Sequence, residues 1–153
     1  MFFFPLLYNV LTGSAKPSTY ESEVLNLKIN LDCIREVLLK CESECSLNEQ
    51  LEWNDLNLSD FDDLDYSKQE LAYTIVLLEE ADYIEAAINY CDNAIGYISV
   101  CRLTYRGHEF LDSIRPESIW KKIKKRVTGI GNVSLPVIQS LGSELITEHL
   151  LQN

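Results

Sequence analysis

Residues 102–114 read RLTYRGHEFLDSI, and this stretch decides the fold. A β-prone apolar run containing Tyr97, Ile98 and Val100 leads into it and ends at Leu103 and Thr104. Phe110, Leu111 and Ile114 then recur at helical spacing. Thr104 stands where its hydroxyl can accept a free backbone N–H of the first turn. A strand running into a capped helix, after an earlier helix and a hairpin, is how a winged-helix domain closes. The expected fold is therefore α+β and mostly helical. It is a winged-helix-like domain with a β-hairpin wing and a C-terminal two-helix extension.

Upstream, Asn30 is a good N-cap, and Ile34, Val37, Leu38 and Cys41 share one helical face, so a first helix is expected from about Leu31 to Glu44. Loose alternation over Gln50–Leu58 reads as a short strand, and Ser59–Leu64 as a loop. Ser67 with Glu70 three residues later carries the capping-box signature. A second helix is expected over Ser67–Ala81, at the recognition position of a winged helix. Its outward residues would come from Lys68, Gln69, Tyr73, Thr74, Glu79 and Glu80, a set poor in the cations that read DNA. Tyr83–Ile88 and Tyr97–Leu103 would form the wing strands, with a turn over Asn89–Gly96.

Downstream, a third helix runs from about Tyr105 to Ile114, and Pro116 ends it and presets the next. Glu117–Val127 (ESIWKKIKKRV) is amphipathic, with Ile119, Trp120, Ile123 and Val127 on one face. Gly129 and Gly131 break the pattern, and Ser134 caps a last helix with Pro136 in its first turn. These two helices would fold back as a hairpin or pair with a second subunit. The expected organisation is an apolar extension over 1–28, the winged-helix-like domain over 29–115 and the helical extension over 116–153.

The 153 residues carry a formal net charge of −11, unevenly spread. Lys40–Asp82 holds thirteen acidic residues against two basic, and Arg102–Arg126 eight basic against three acidic. The overall sign opposes loose nucleic-acid binding but leaves room for a local basic strip. A bipolar surface suits a protein partner or self-association. Asp60, Asp62, Asp63 and Asp65 lie close in sequence without the central glycine and closing glutamate of an EF-hand loop. With Glu79 and Glu80 they are the candidate acidic interaction surface. Arg106, Lys121, Lys122, Lys124, Lys125 and Arg126 are the candidate nucleic-acid contacts. The alternative for the lysines is a packing helix whose cations snorkel.

Cys33, Cys41, Cys45, Cys91 and Cys101 form no secreted disulfide framework and read as free thiols of a reducing cytoplasm. Cys41 and Cys45 have the wrong pitch for a zinc knuckle. His108 has no second ligand at helical spacing, and Glu144, Glu148 and His149 lack the H-E-x-x-H order. No phosphate loop, dinucleotide fingerprint or nucleophile elbow is present. No catalytic residue, cofactor or metal site is expected, and the chain reads as non-enzymatic. The opening MFFFPLLYNVL is far shorter than the ~20 residues of a membrane span and lacks the basic start of a signal peptide. Residues 1–28 read as an extension packed on the domain or a partner, with a membrane-interface anchor or a disordered segment as the alternatives.

Three pieces together resemble a family numbered 2513 among the domains of unknown function, found in bacteria, prophages and phages. They are the entry helix Leu31–Leu39, the Leu77–Ile84 turn, and the LTYRGHEFLDSIR segment with the Trp120 helix and Ser134–Ile138 after it. The resemblance covers about Ile29–Leu151. It implies a winged-helix-like domain with helical additions and brings no catalytic residues. The expected function is a regulatory or protein-interaction module of phage or mobile-element type. It would bind a host or defence protein through the acidic surface. The alternative is a DNA-binding winged-helix transcriptional regulator that uses the wing and the Trp120 helix.

Overall fold

The computed structural model describes residues 28–56 and 59–152, so the expected extension lies almost wholly outside the described residues. Helix α1 spans Leu31–Glu44, and Asn30 Oδ1 accepts from the backbone N–H of Asp32 and Cys33. Strand β1 covers Leu51–Asn54, shorter than expected, because the chain folds back and Asp60 N donates to Glu52 O. Helix α2 spans Lys68–Glu80, with Ser67 Oγ accepting from Glu70 N at 3.1 Å. The Glu70 carboxylate accepts instead from Asn30 Nδ2 at 2.7 Å, which ties the caps of α1 and α2 together. Thr74, expected to point outward from α2, is buried and donates to Cys33 Sγ.

Strands β2 (Ile84–Cys91) and β3 (Ala94–Leu103) are longer than the sequence pattern suggests. The eight-residue turn expected between them contracts to Asp92 and Asn93. Both adopt positive φ, the left-handed pair that matches the twist of a two-residue hairpin. The sheet is antiparallel throughout, in the order β1-β3-β2.

Helix α3 (Tyr105–Ile114) follows β3 without a loop. Thr104 Oγ1 accepts from Gly107 N at 3.0 Å and donates to Asp82 O at 2.6 Å, and Thr104 N donates to Tyr83 O. One residue thus caps α3 and fastens it to the start of β2. The approach is so close that a Cβ on Gly107 would lie 1.9 Å from Tyr83 O, which explains the glycine.

Helices α4 (Glu117–Val127) and α5 (Leu135–Leu151) fold back onto α3. Gly142 lets α5 cross the end of α3 at backbone distance; a Cβ there would stand 2.1 Å from Ser113 O. Ile119, Trp120, Ile123, Ile138 and Leu145 therefore join the same core as Leu38, Ile75, Ile98 and Phe110. Ser134 does precede α5, but its side chain makes no capping hydrogen bond.

Candidate interaction surfaces

The acidic turn comes first. Asp60 Oδ2 accepts from Glu52 N at 2.7 Å, and Asp62 Oδ2 from Ser59 N at 3.0 Å. Those bonds let a short run of Asp and Ser turn the chain between β1 and α2. The Ser59 N–H holds the Asp62 carboxyl below its ordinary value. Asp63 pairs with Lys40 at 3.0 Å, and Lys40 also holds Glu44 at 2.9 Å. Lys40 is buried, yet its partners outweigh desolvation and keep its pKa raised. Asp65 is exposed just before α2, whereas Glu79 and Glu80 end that helix, about 18 Å along its axis. The structure thus places Asp65 and the two glutamates apart.

The basic helix is quieter than its sequence suggests. Lys124 Nζ pairs with Asp32 at 2.9 Å, and Trp120 Nε1 donates to the same carboxylate at 2.8 Å. Burial pushes the Asp32 carboxyl up, but Lys124 and Trp120 outweigh it and leave it lowered. Arg126 reaches Glu144 at 3.3 Å and Glu148 at 3.8 Å, and Lys121 lies 3.9 Å from Glu117. Arg106 lies over the Tyr83 ring, 5.2 Å from its centroid. Lys122 and Lys125 are exposed.

A third cluster escaped the sequence reading. Arg35, on α1, donates through Nε to Ile114 O at 3.1 Å and through Nη2 to Arg115 O at 2.6 Å. Its Nη1 meets Glu117 at 3.3 Å, and its guanidinium lies 5.8 Å from the Trp120 ring centroid. It therefore clamps the α3–α4 junction. Arg115 grips Glu42 with both terminal nitrogens and Asp112 at 2.8 Å. Hydrogen bonding from Arg115 holds the Glu42 carboxyl below its ordinary value. His108 Nδ1 stands 3.6 Å from Glu42. The one signal in the sequence was Arg35 itself, a cation set between the core residues Ile34 and Val37.

Beside this cluster a cleft of about 510 Å³ opens between the end of α1, β3 and the start of α3. Among the described residues no three His, Cys, Asp or Glu side chains are grouped to hold a metal ion. No described helix is long and apolar enough to cross a membrane.

The chain is 32% identical over 126 residues to an uncharacterized protein of Haemophilus influenzae, covering 81% of this chain and 99% of that one. No solved structure matches it significantly. A family model described as "Hypothetical protein (DUF2513)" matches residues 28–133, from two residues before the Asn30 cap of α1 to the residue before Ser134. The chain therefore belongs to the DUF2513 family.

Proposed function

We propose that the protein is a cytoplasmic, non-enzymatic interaction module of phage or mobile-element type, which binds a host or defence protein through its acidic surface. The winged-helix-like arrangement serves as scaffold in this reading. The observation that carries it is the unequal fate of the two charged regions. Lys121, Lys124 and Arg126 are paired within the chain, whereas Asp60 and Asp62 accept from backbone N–H groups and keep their charge.

The test is affinity capture from the host with the native chain and with a variant carrying Asn at Asp60, Asp62, Asp63 and Asp65. Asn keeps the oxygen acceptors of the turn and removes the charge. Partners should be lost; retention of every partner would overturn the reading. The second reading, a DNA-binding regulator, draws on the exposure of Lys122, Lys125 and Arg106. It requires duplex DNA binding that weakens steeply between low and physiological salt. Fluorescence anisotropy should show no such binding.

A further inference from the structure

The cleft between α1, β3 and α3 is lined by three of the five cysteines: Cys41, Cys45 and Cys101. Cys41 is buried in the last turn of α1, and Cys45, the residue that ends the helix, is half-buried. Both thiols line the cleft, and Cys45 Sγ donates to Val100 O at 3.6 Å. Cys45 N donates to Cys41 O at 3.0 Å, so the pair keeps helical spacing. Helical i,i+4 spacing sets the two Cα atoms about 6 Å apart, inside the range a disulfide tolerates. The Cβ atoms must still approach by about 1–2 Å. Cys45 has already left the helix with ψ 133°, and Ser46–Gln50 beyond it is exposed, so that end can swing inward.

We propose that Cys45 is a thiol modification site that reacts with hydroperoxides, with Cys41 as the resolving thiol. The Cys45 sulfur attacks the peroxide; the S–O bond forms as the O–O bond breaks. The departing hydroxide, or alkoxide from an organic hydroperoxide, takes up the Cys45 proton as water or alcohol, leaving a sulfenic acid. The Cys41 sulfur then displaces the sulfenic oxygen, which leaves with the Cys41 proton as water, and an S–S bond remains. Two thiols are oxidised by two electrons and one peroxide is reduced.

The environment separates the roles. Cys45 is the half-buried member of the pair and faces the cleft, and its neighbour Cys41 pulls its thiol down against partial burial. Cys41 is buried behind it and its thiol is pushed up by Cys45 and by burial, which suits the resolving role. Cys101 shares the cleft but is held up by burial and by the Glu85 carboxylate. Cys33 is buried and pushed up to about 11. Cys91 is exposed on the hairpin and serves as the internal control.

Trypsin makes the result readable. No Lys or Arg lies between Cys41 and Lys68, so Cys41 and Cys45 fall in one peptide and Cys91 and Cys101 in the next. The full chain is titrated with hydrogen peroxide, blocked with N-ethylmaleimide and mapped by mass spectrometry. The Cys41–Lys68 peptide should lose two hydrogens, several-fold faster than Cys91 reacts. In Cys41→Ala, dimedone should instead trap a sulfenic acid at Cys45. Phenylarsine oxide, which bridges close thiol pairs, should label the same peptide in the unaltered chain. A cross-link between the two peptides, oxidation of Cys91 ahead of Cys45, or no arsenical on Cys41–Lys68 would each overturn the proposal.

Discussion

Helix α4 and the first half of the Ser59–Asp65 turn spend their charges in opposite ways, Asp63 in the second half being paired with Lys40. The cations of α4 meet carboxylates from α1, α5 and their own first turn. Ion pairs cancel field at a distance, so a helix with five basic residues presents mainly Lys122 and Lys125 outward. Asp60 and Asp62 in the turn are satisfied by neutral N–H donors. A hydrogen bond of that kind fixes geometry but leaves the negative charge in place. Local satisfaction and electrostatic neutrality are thus different properties: Lys121, Lys124, Arg126 and Asp63 have both, whereas Asp60 and Asp62 have the first without the second.

The largest expected effect breaks the seat of α4. Arg35 is only 13% exposed and closes the α3–α4 junction with two carbonyl hydrogen bonds and one ion pair. Arg35→Ala strands two carbonyls and uncovers one face of Trp120. The expected loss is about 3 kcal/mol, read as a lower urea midpoint at unchanged slope. A loss within experimental error would mean that α4 is held by its apolar face alone.

Next in size is the unmasking of α4. Asp32→Ala frees Lys124 and leaves Trp120 Nε1 without its acceptor, at a cost of about 1–2 kcal/mol. Combined with Glu144→Ala and Glu148→Ala, it also releases Arg126. The triple variant should bind duplex DNA at low salt where the native chain does not, with affinity falling as salt rises. Equal binding by both would show that the pairs do not mask the helix.

Acid sharpens the contrast at Glu42. Its carboxyl sits below the ordinary 4.5 because Arg115 hydrogen-bonds the charged form. A lowered folded pKa gives stability that is complete above about pH 4.5 and drains away as pH falls through the folded value. The native chain should therefore outlast Glu42→Gln at neutral pH, and the gap should close below pH 4.5. A gap that persists unchanged at low pH would assign the effect to packing instead of charge.

Much of this was legible because it is local. The bounds of α1, α3 and α4 follow from Asn30, Thr104 and Pro116, each acting within one turn of itself. Thr74 misled because helical periodicity cannot see that Cys33 waits 41 residues away. The hairpin misled because Asn89, Tyr90 and Cys91 are exposed and carry no inside–outside alternation. The neutralisation of α4 was hidden for the same reason as the Arg35 clamp. Asp32 lies 92 residues from Lys124, and Arg35 79 from Ile114. A charged residue announces its sign in sequence but not its partner.

The smallest effect is the most discriminating for the acidic turn. Asp60→Asn retains an oxygen to accept from Glu52 N while deleting the charge. If the carboxylate serves the fold only as an acceptor, stability should change by less than about 0.5 kcal/mol. Asp60→Ala removes the acceptor as well and should cost about 1 kcal/mol. The pair therefore splits geometry from charge at one atom. Equal losses in Asn and Ala would show that the charge itself holds the turn. The turn would then resemble α4, and its negative field would be a by-product of folding instead of a surface left open for a partner.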